Sequence, residues 1–183
     1  MILGYILTGS DNDSFMLDDA DISTQRCPTC KYLSDFSYHN PFFKLKRKAY
    51  DYSHPYDIGS IVSLRFKEFC IREKYSATSF KEFEREPNFF QLVVTAIVQF
   101  DSAKSKTRLT GYCETCQNYE EAIMAFSYLK NDSTPLKDGF YRTDMVFGSK
   151  DCKNPLVIVG VETYQKLKRE KMKGLYFEAI NAE

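Results

Sequence analysis

Four of the six cysteines in this chain fall into two pairs of identical spacing, Cys27-Pro28-Thr29-Cys30 and Cys113-Glu114-Thr115-Cys116. A Cys-x-x-Cys turn directs both thiols to one side, at the separation of two corners of a tetrahedron. Two such turns complete a four-cysteine site. Cys27, Cys30, Cys113 and Cys116 are therefore the candidate metal ligands, and zinc is the expected ion. Bringing them together closes more than 80 intervening positions into one loop, which constrains any fold the chain adopts. Four thiolates fill the tetrahedron and leave no position for water, so the ion's expected role is structural. Its binding energy then becomes folding energy.

The same cysteines admit other readings. A thioredoxin-like redox pair normally opens a helix after a strand, whereas the stretch before Cys27 is acidic and polar. Two local disulfides, or simply free thiols, are further alternatives. The opening Met1-Ile2-Leu3-Gly4-Tyr5-Ile6-Leu7 is apolar but short and lacks a basic start. It reads as a first strand rather than a signal peptide, and no apolar run approaches the ~18 residues of a membrane span. The cytoplasm is the expected compartment, where thiols stay reduced. Cys70 lies within an apolar helical stripe and reads as core. Cys152 sits in the polar run Ser149-Lys150-Asp151-Cys152-Lys153 and reads as incidental.

Composition narrows the function classes. Lys plus Arg and Asp plus Glu each number 25, so no net field draws in a polyanion, and a nucleic-acid partner is not expected. Aromatic residues reach 15%, which excludes intrinsic disorder. With 43% apolar residues in 183, the chain has enough for one substantial core, and residues 1–183 are expected to form a single compact domain.

The sequence also carries an internal echo. Shifting Ile61-Val62-Ser63 by 97 positions places it on Ile158-Val159-Gly160, Arg72-Glu73-Lys74 on Arg169-Glu170-Lys171, and Phe80 on Phe177. Identity is six in 23 positions, and apolar positions mostly meet apolar positions. Each copy reads as strand, helix, strand, and each is preceded by one Cys-x-x-Cys pair. Two related halves, 1–87 and 88–183, each contributing one zinc knuckle, are the expectation. The alternative is a common strand–helix–strand unit that arose twice by convergence.

Along the chain, residues 3–8 read as a strand and residues 10–26 as a polar loop carrying Asp11, Asp13, Asp18, Asp19 and Asp21. Residues 31–57 mix aromatics with turn formers and suggest irregular structure or short strands, and Lys44-Leu45-Lys46-Arg47-Lys48 reads as a solvated basic face. A helix is expected over 62–75, with Ser63 or a neighbour as its cap. Phe89–Phe100 is rich in β-branched residues and reads as one buried strand. A short helix is expected over Tyr119–Leu129, strands over 140–147, 155–159 and 175–180, and a second helix over 161–173. Gly174 suits the C′ position of that second helix. The class is α+β.

Catalytic motifs are missing from the sequence: there is no Gly-rich phosphate loop, no Gly-x-Ser-x-Gly and no His-Glu-x-x-His. His39 and His54, the two histidines, have no nucleophile motif nearby and read as ordinary loop residues. No carboxylate pair stands out for acid–base work, so an enzyme is not expected.

The two knuckles, with the tail Leu156-Val157-Ile158-Val159-Gly160-Val161-Glu162 and Lys173-Gly174-Leu175-Tyr176-Phe177-Glu178-Ala179-Ile180, resemble bacterial double-CxxCG-motif proteins and related immunity-type proteins of polymorphic toxin systems. Where that family has Gly after each second Cys, this sequence has Lys31 and Gln117. A non-Gly residue there costs about 1 kcal/mol if a positive φ is kept. The resemblance implies a small protein that binds a cognate protein toxin and occludes its active site. A tight complex of that kind needs a preorganised surface, which a metal clamp supplies. The alternative is a zinc-ribbon adaptor for nucleic acid or a transcription-associated protein. The sequence leaves the toxin, the contact surface and the oligomeric state open.

Overall fold

The structure, a computed structural model, describes residues 1–182. Its elements in chain order are β1 (Ile2–Asp11), a short 3-10 turn (Ser23–Gln25), β2 (Tyr52–His54), β3 (Ser60–Ser63), α1 (Leu64–Arg72), β4 (Thr78–Glu82), β5 (Phe89–Val94), β6 (Ile97–Val98), β7 (Arg108–Cys113), β8 (Asn118–Ile123), β9 (Phe140–Ser149), β10 (Cys152–Val159), α2 (Val161–Glu170) and β11 (Leu175–Asn181). The class is α+β. The strands run β4-β5-β3-β2-β1-β10-β9-β8-β7, with β11 also paired to β1 and β6 to β9. The β1–β2 and β6–β9 pairs are parallel. The remaining pairs are antiparallel.

The helices start and stop for local reasons. Ser63 caps α1: its Oγ accepts from the Phe66 amide and donates to Asp51. Phe66, Phe69 and Cys70, at i, i+3 and i+4, form the buried stripe. Gly160 precedes α2 without a side-chain cap, and Thr163 and Leu167 are its buried residues. Past the ends of the two helices, Lys74 and Lys171 both adopt the left-handed conformation, at φ 60° and 53°. These two lysines are 97 positions apart.

That correspondence extends to the sheet registers. In the first unit, β5 lies between β3 and β4, and Leu92 faces Ser60 on one side and Phe80 on the other. In the second, β1 lies between β10 and β11, and Leu7 faces Val157 and Phe177. Ser60 and Val157 are 97 apart, as are Phe80 and Phe177, and the flanking rows agree. Gln91 faces Ile61 and Lys81, while Ile6 faces Ile158 and Glu178. Each strand–helix–strand unit thus takes its middle strand from the other part of the chain.

Three cores follow. The largest lies under both helices and unites Leu7, Tyr52, Phe66, Phe69, Phe140 and Leu167. A second packs Phe43, Leu45 and Phe83 on Ile58 and Ile61. A third packs Phe100 and Leu129 on Leu3 and Ile6. Across the top of the first core, Arg72 pairs with Glu170, and Lys166 bridges Glu73 (3.0 Å) and Asp138 (2.6 Å). The charged triplets that repeat in the sequence meet here.

Several expectations need correction. The helix expected over Tyr119–Leu129 is absent: Asn118–Ile123 is β8, paired with β7 and β9. Apolar Tyr119, Ala122, Ile123 and Phe126 mimic a helical period, but the Cys113–Cys116 turn folds the chain back as a hairpin, and cross-strand pairing prevails. The single strand expected over Phe89–Phe100 breaks at Thr95–Ala96. There the chain leaves β3 and β4 and crosses to β9, where the Arg142 amide donates to Ala96 O. Cys152 opens β10 rather than lying in a loop, and β10 tolerates Pro155 at an irregularity in its register. The left-handed residue ending α2 is Lys171, while Gly174 (φ 84°) turns the chain into β11 against Tyr50 and Tyr52.

Candidate metal centre

Each Cys-x-x-Cys pair sits at the tip of a two-stranded turn. In the first, the Cys27 amide donates to Tyr32 O, the Lys31 amide donates to Cys27 O, and Arg26 bridges Leu33. In the second, Cys113 pairs with Asn118 and Tyr112 with Tyr119 at the ends of β7 and β8. The residue after each second cysteine is left-handed, Lys31 at φ 64° and Gln117 at φ 54°. The positive-φ geometry is therefore kept without glycine, at the cost stated above.

The structure brings all four predicted cysteines together, with their sulfurs within 4.8 Å of one another. Cys27 Sγ lies 3.9 Å from Cys113 Sγ, and Cys30 Sγ lies 3.7 Å from Cys116 Sγ. A tetrahedron with ~2.3 Å metal–sulfur bonds has an edge of about 3.8 Å. A cystine would need ~2.05 Å, and all six cysteines are free thiols. The donor set fits a tetrahedral metal ion. Residues at equal positions of the two turns face each other throughout: Cys27 with Cys113, Cys30 with Cys116, and Thr29 with Thr115, whose hydroxyls are 2.9 Å apart.

Local electrostatics divide the thiols. The Cys30 amide, and then that of Thr29, donate to Cys27 and lower its thiol pKa against the opposing effect of burial. The equivalent amides of Cys116 and Thr115 bring Cys113 down to about 6. Burial pushes Cys30 up to about 12. Crowding four sulfurs thus opposes full ionisation, and a divalent cation at the centre reverses that, because a coordinating thiol is deprotonated outright.

Two partners near the cluster left no signal in the sequence. Lys153 is fully buried, donates to Tyr119 O, and lies 5.4 Å from the ring centres of both Tyr32 and Phe36. Burial lowers its pKa, and charge on the neighbouring cysteine sulfurs opposes that shift. Its amine is set beside a site that four thiolates around a divalent ion would leave with excess negative charge. Asp151, on the β9–β10 turn, receives two hydrogen bonds from Arg26 (2.7 and 3.0 Å) and one from the Leu33 amide. That contact braces the first turn.

The remaining candidates lie elsewhere. Cys70 is buried in the α1 core, and desolvation pushes its thiol up to about 12. His39 bridges Gln91 and Glu82 O, and His54, on β2, bonds Gly59 O. Neither histidine joins the sulfur cluster. The basic cluster is solvated: Lys44, Lys46, Arg47 and Lys48 are exposed while Leu45 between them is buried. Arg47 pairs with Asp13, and Lys48 with Glu86. Away from the metal centre, exposed Phe15 and Tyr56 pack 5.3 Å apart, and exposed Phe42 lies under Arg85. Phe15, Phe42, Asp18, Asp19, Lys46 and Arg85 share one concavity of about 470 Å³.

No helix among the described residues is long and apolar enough to cross a membrane. Compared with known proteins, the chain matches no family model and no curated sequence.

Proposed function

We propose that this chain is a cytoplasmic, zinc-stapled binding protein of the immunity type, which neutralises a cognate bacterial toxin by covering its active site. The observation that carries the reading is the closed cluster of Cys27, Cys30, Cys113 and Cys116. A four-thiolate tetrahedron has no open position for chemistry, so the ion's contribution is rigidity. Zinc is the assigned metal because a tetrahedral S₄ set suits it. Rigidity matters for tight association, since a preorganised surface loses less freedom on binding.

The identical registers around Leu7 and Leu92, and the facing of equivalent residues at the metal centre, support two related halves, 1–87 and 88–183, that exchange their first strands. The exposed Phe15, Phe42 and Tyr56, rimmed by Asp18, Asp19 and Arg85, are the aromatic and arginine anchors typical of a binding hot spot. The tail's resemblance to immunity-type proteins gives the partner class.

The test is co-expression with toxin domains encoded beside the gene. Restored growth together with a stable stoichiometric complex supports the reading, and growth rescue without a complex contradicts occlusion. Binding of DNA with a steep salt dependence, and of no protein, would favour the nucleic-acid adaptor instead.

A further inference from the structure

A cavity of about 380 Å³ opens where the two parts of the chain meet, on the seam between β3 and β5 on one side and β9 and β10 on the other. That size falls within the range of small-molecule sites, roughly 300–1,000 Å³, which favour such junctions. Its walls are mainly apolar, with Phe36, Val93, Val146, Pro155 and Val157 among them.

The polar groups on the wall are largely engaged already. Asn154 staples the seam: its Oδ1 accepts from the Gly59 amide at 2.7 Å, and its Nδ2 donates to Asp57 O at 2.9 Å. Gln91 is held by His39 and Tyr38 O. His54 bonds Gly59 O, and burial lowers its pKa, which favours the neutral ring. Asp35 is exposed, and its carboxylate accepts from the Ser37 amide and hydroxyl. Arg142 differs. It is half-buried and is the only lysine or arginine on the wall among the described residues. Its guanidinium donates to Thr143 O at 3.1 Å and faces no carboxylate within ion-pairing distance among those residues. An arginine with donors to spare beside an apolar cavity matches a carboxylate attached to an apolar body.

We infer that this seam cavity binds a small organic monocarboxylate, its carboxylate on Arg142 and its hydrocarbon tail against Val93, Val146 and Val157. The site shares no lining residue with the sulfur cluster or the concavity of the exposed aromatic face, and it stands independently of any protein partner.

The test uses the metal-loaded full chain and two probes, octanoate and its uncharged counterpart octanamide, titrated by calorimetry and by NMR of arginine side-chain N–H signals. Octanoate binds saturably at millimolar concentrations or below and shifts the Arg142 signal. Octanamide binds at least tenfold more weakly, and R142Q, with metal content unchanged, loses octanoate affinity at least tenfold. Failure of octanoate to bind at millimolar concentration overturns the inference. So does equal affinity for octanamide, which is read on the unaltered chain and does not depend on the folding of any variant.

Discussion

Thr29 and Thr115, at the same position in the two cysteine turns and 86 residues apart, share a hydroxyl hydrogen bond of 2.9 Å. Contact between equivalent residues is what a local two-fold axis produces. Cys27 with Cys113 and Cys30 with Cys116 obey the same relation, so the axis passes through the sulfur cluster. An ion held there would tie the two cysteine turns together on that axis.

Left-handed Gln117 sets a first expectation. At φ 54° a side chain carries a strain that glycine does not. Gln117→Gly therefore stabilises the metal-loaded protein by up to about 1 kcal/mol, or ~2–4 °C in Tm for a chain of this size. Thermal unfolding with metal present reads it. A drop in Tm would mean that the strain is relieved elsewhere in the turn.

Buried Lys153 sets a second. Replacing it with Met keeps the volume and removes the cation beside the sulfurs. Metal affinity falls by roughly 10–100-fold, the scale of losses at groups supporting metal ligands. Competition against a chromophoric chelator measures this. Unchanged affinity would reduce Lys153 to a packing role.

The ion pair above the main core predicts an acid limb. Burial disfavours the Asp138 carboxylate, but hydrogen bonds from Lys166, Thr163 and Tyr75 outweigh it and hold the pKa below the ordinary range. A depressed folded pKa gives stability that is full above the unfolded value of about 3.8 and is lost as pH falls through the folded value. Urea titrations between pH ~5 and ~3 will therefore show a steeper loss for the parent than for Asp138→Asn. Equal slopes would mean that the pair contributes nothing to folding.

The proposed exchange of first strands between two related halves makes a topological prediction. The link from β4 to β5, residues 83–88, corresponds to the gap from β11 back to β1, where the Ala182 amide donates to Met1 O at 2.8 Å. A circular permutant that starts at residue 88 and joins the old termini through a short linker folds and binds metal with the parent's stoichiometry. An unfolded or metal-free permutant would show that the β4–β5 link is essential and the halves are not interchangeable units.

What the sequence made legible follows from what is local. The cysteine spacing pointed to the cluster because each turn is encoded within four residues. The Ser63 cap and the stripe Phe66, Phe69 and Cys70 gave α1 for the same reason. The break at Thr95–Ala96 was hidden because distant pairing with β9 decides it, and the strand at Asn118–Ile123 because its pairing with the hairpin strand β7 and with β9 overrides a helix-like spacing of apolar residues. Lys153 reads as a surface lysine in any window. Only the fold places Tyr32, Phe36 and the cysteines around it. The placing of β1 between β10 and β11 has no local signal either, since those strands lie some 150 residues further along the chain.

The most direct measurement is X-ray absorption at the metal edge on protein purified without added metal, together with the metal-to-chain ratio. Four sulfur neighbours at about 2.3 Å, with one zinc per chain, are expected. Nitrogen or oxygen in the first coordination sphere, or a fully folded chain that holds no metal, would contradict the joint site on Cys27, Cys30, Cys113 and Cys116.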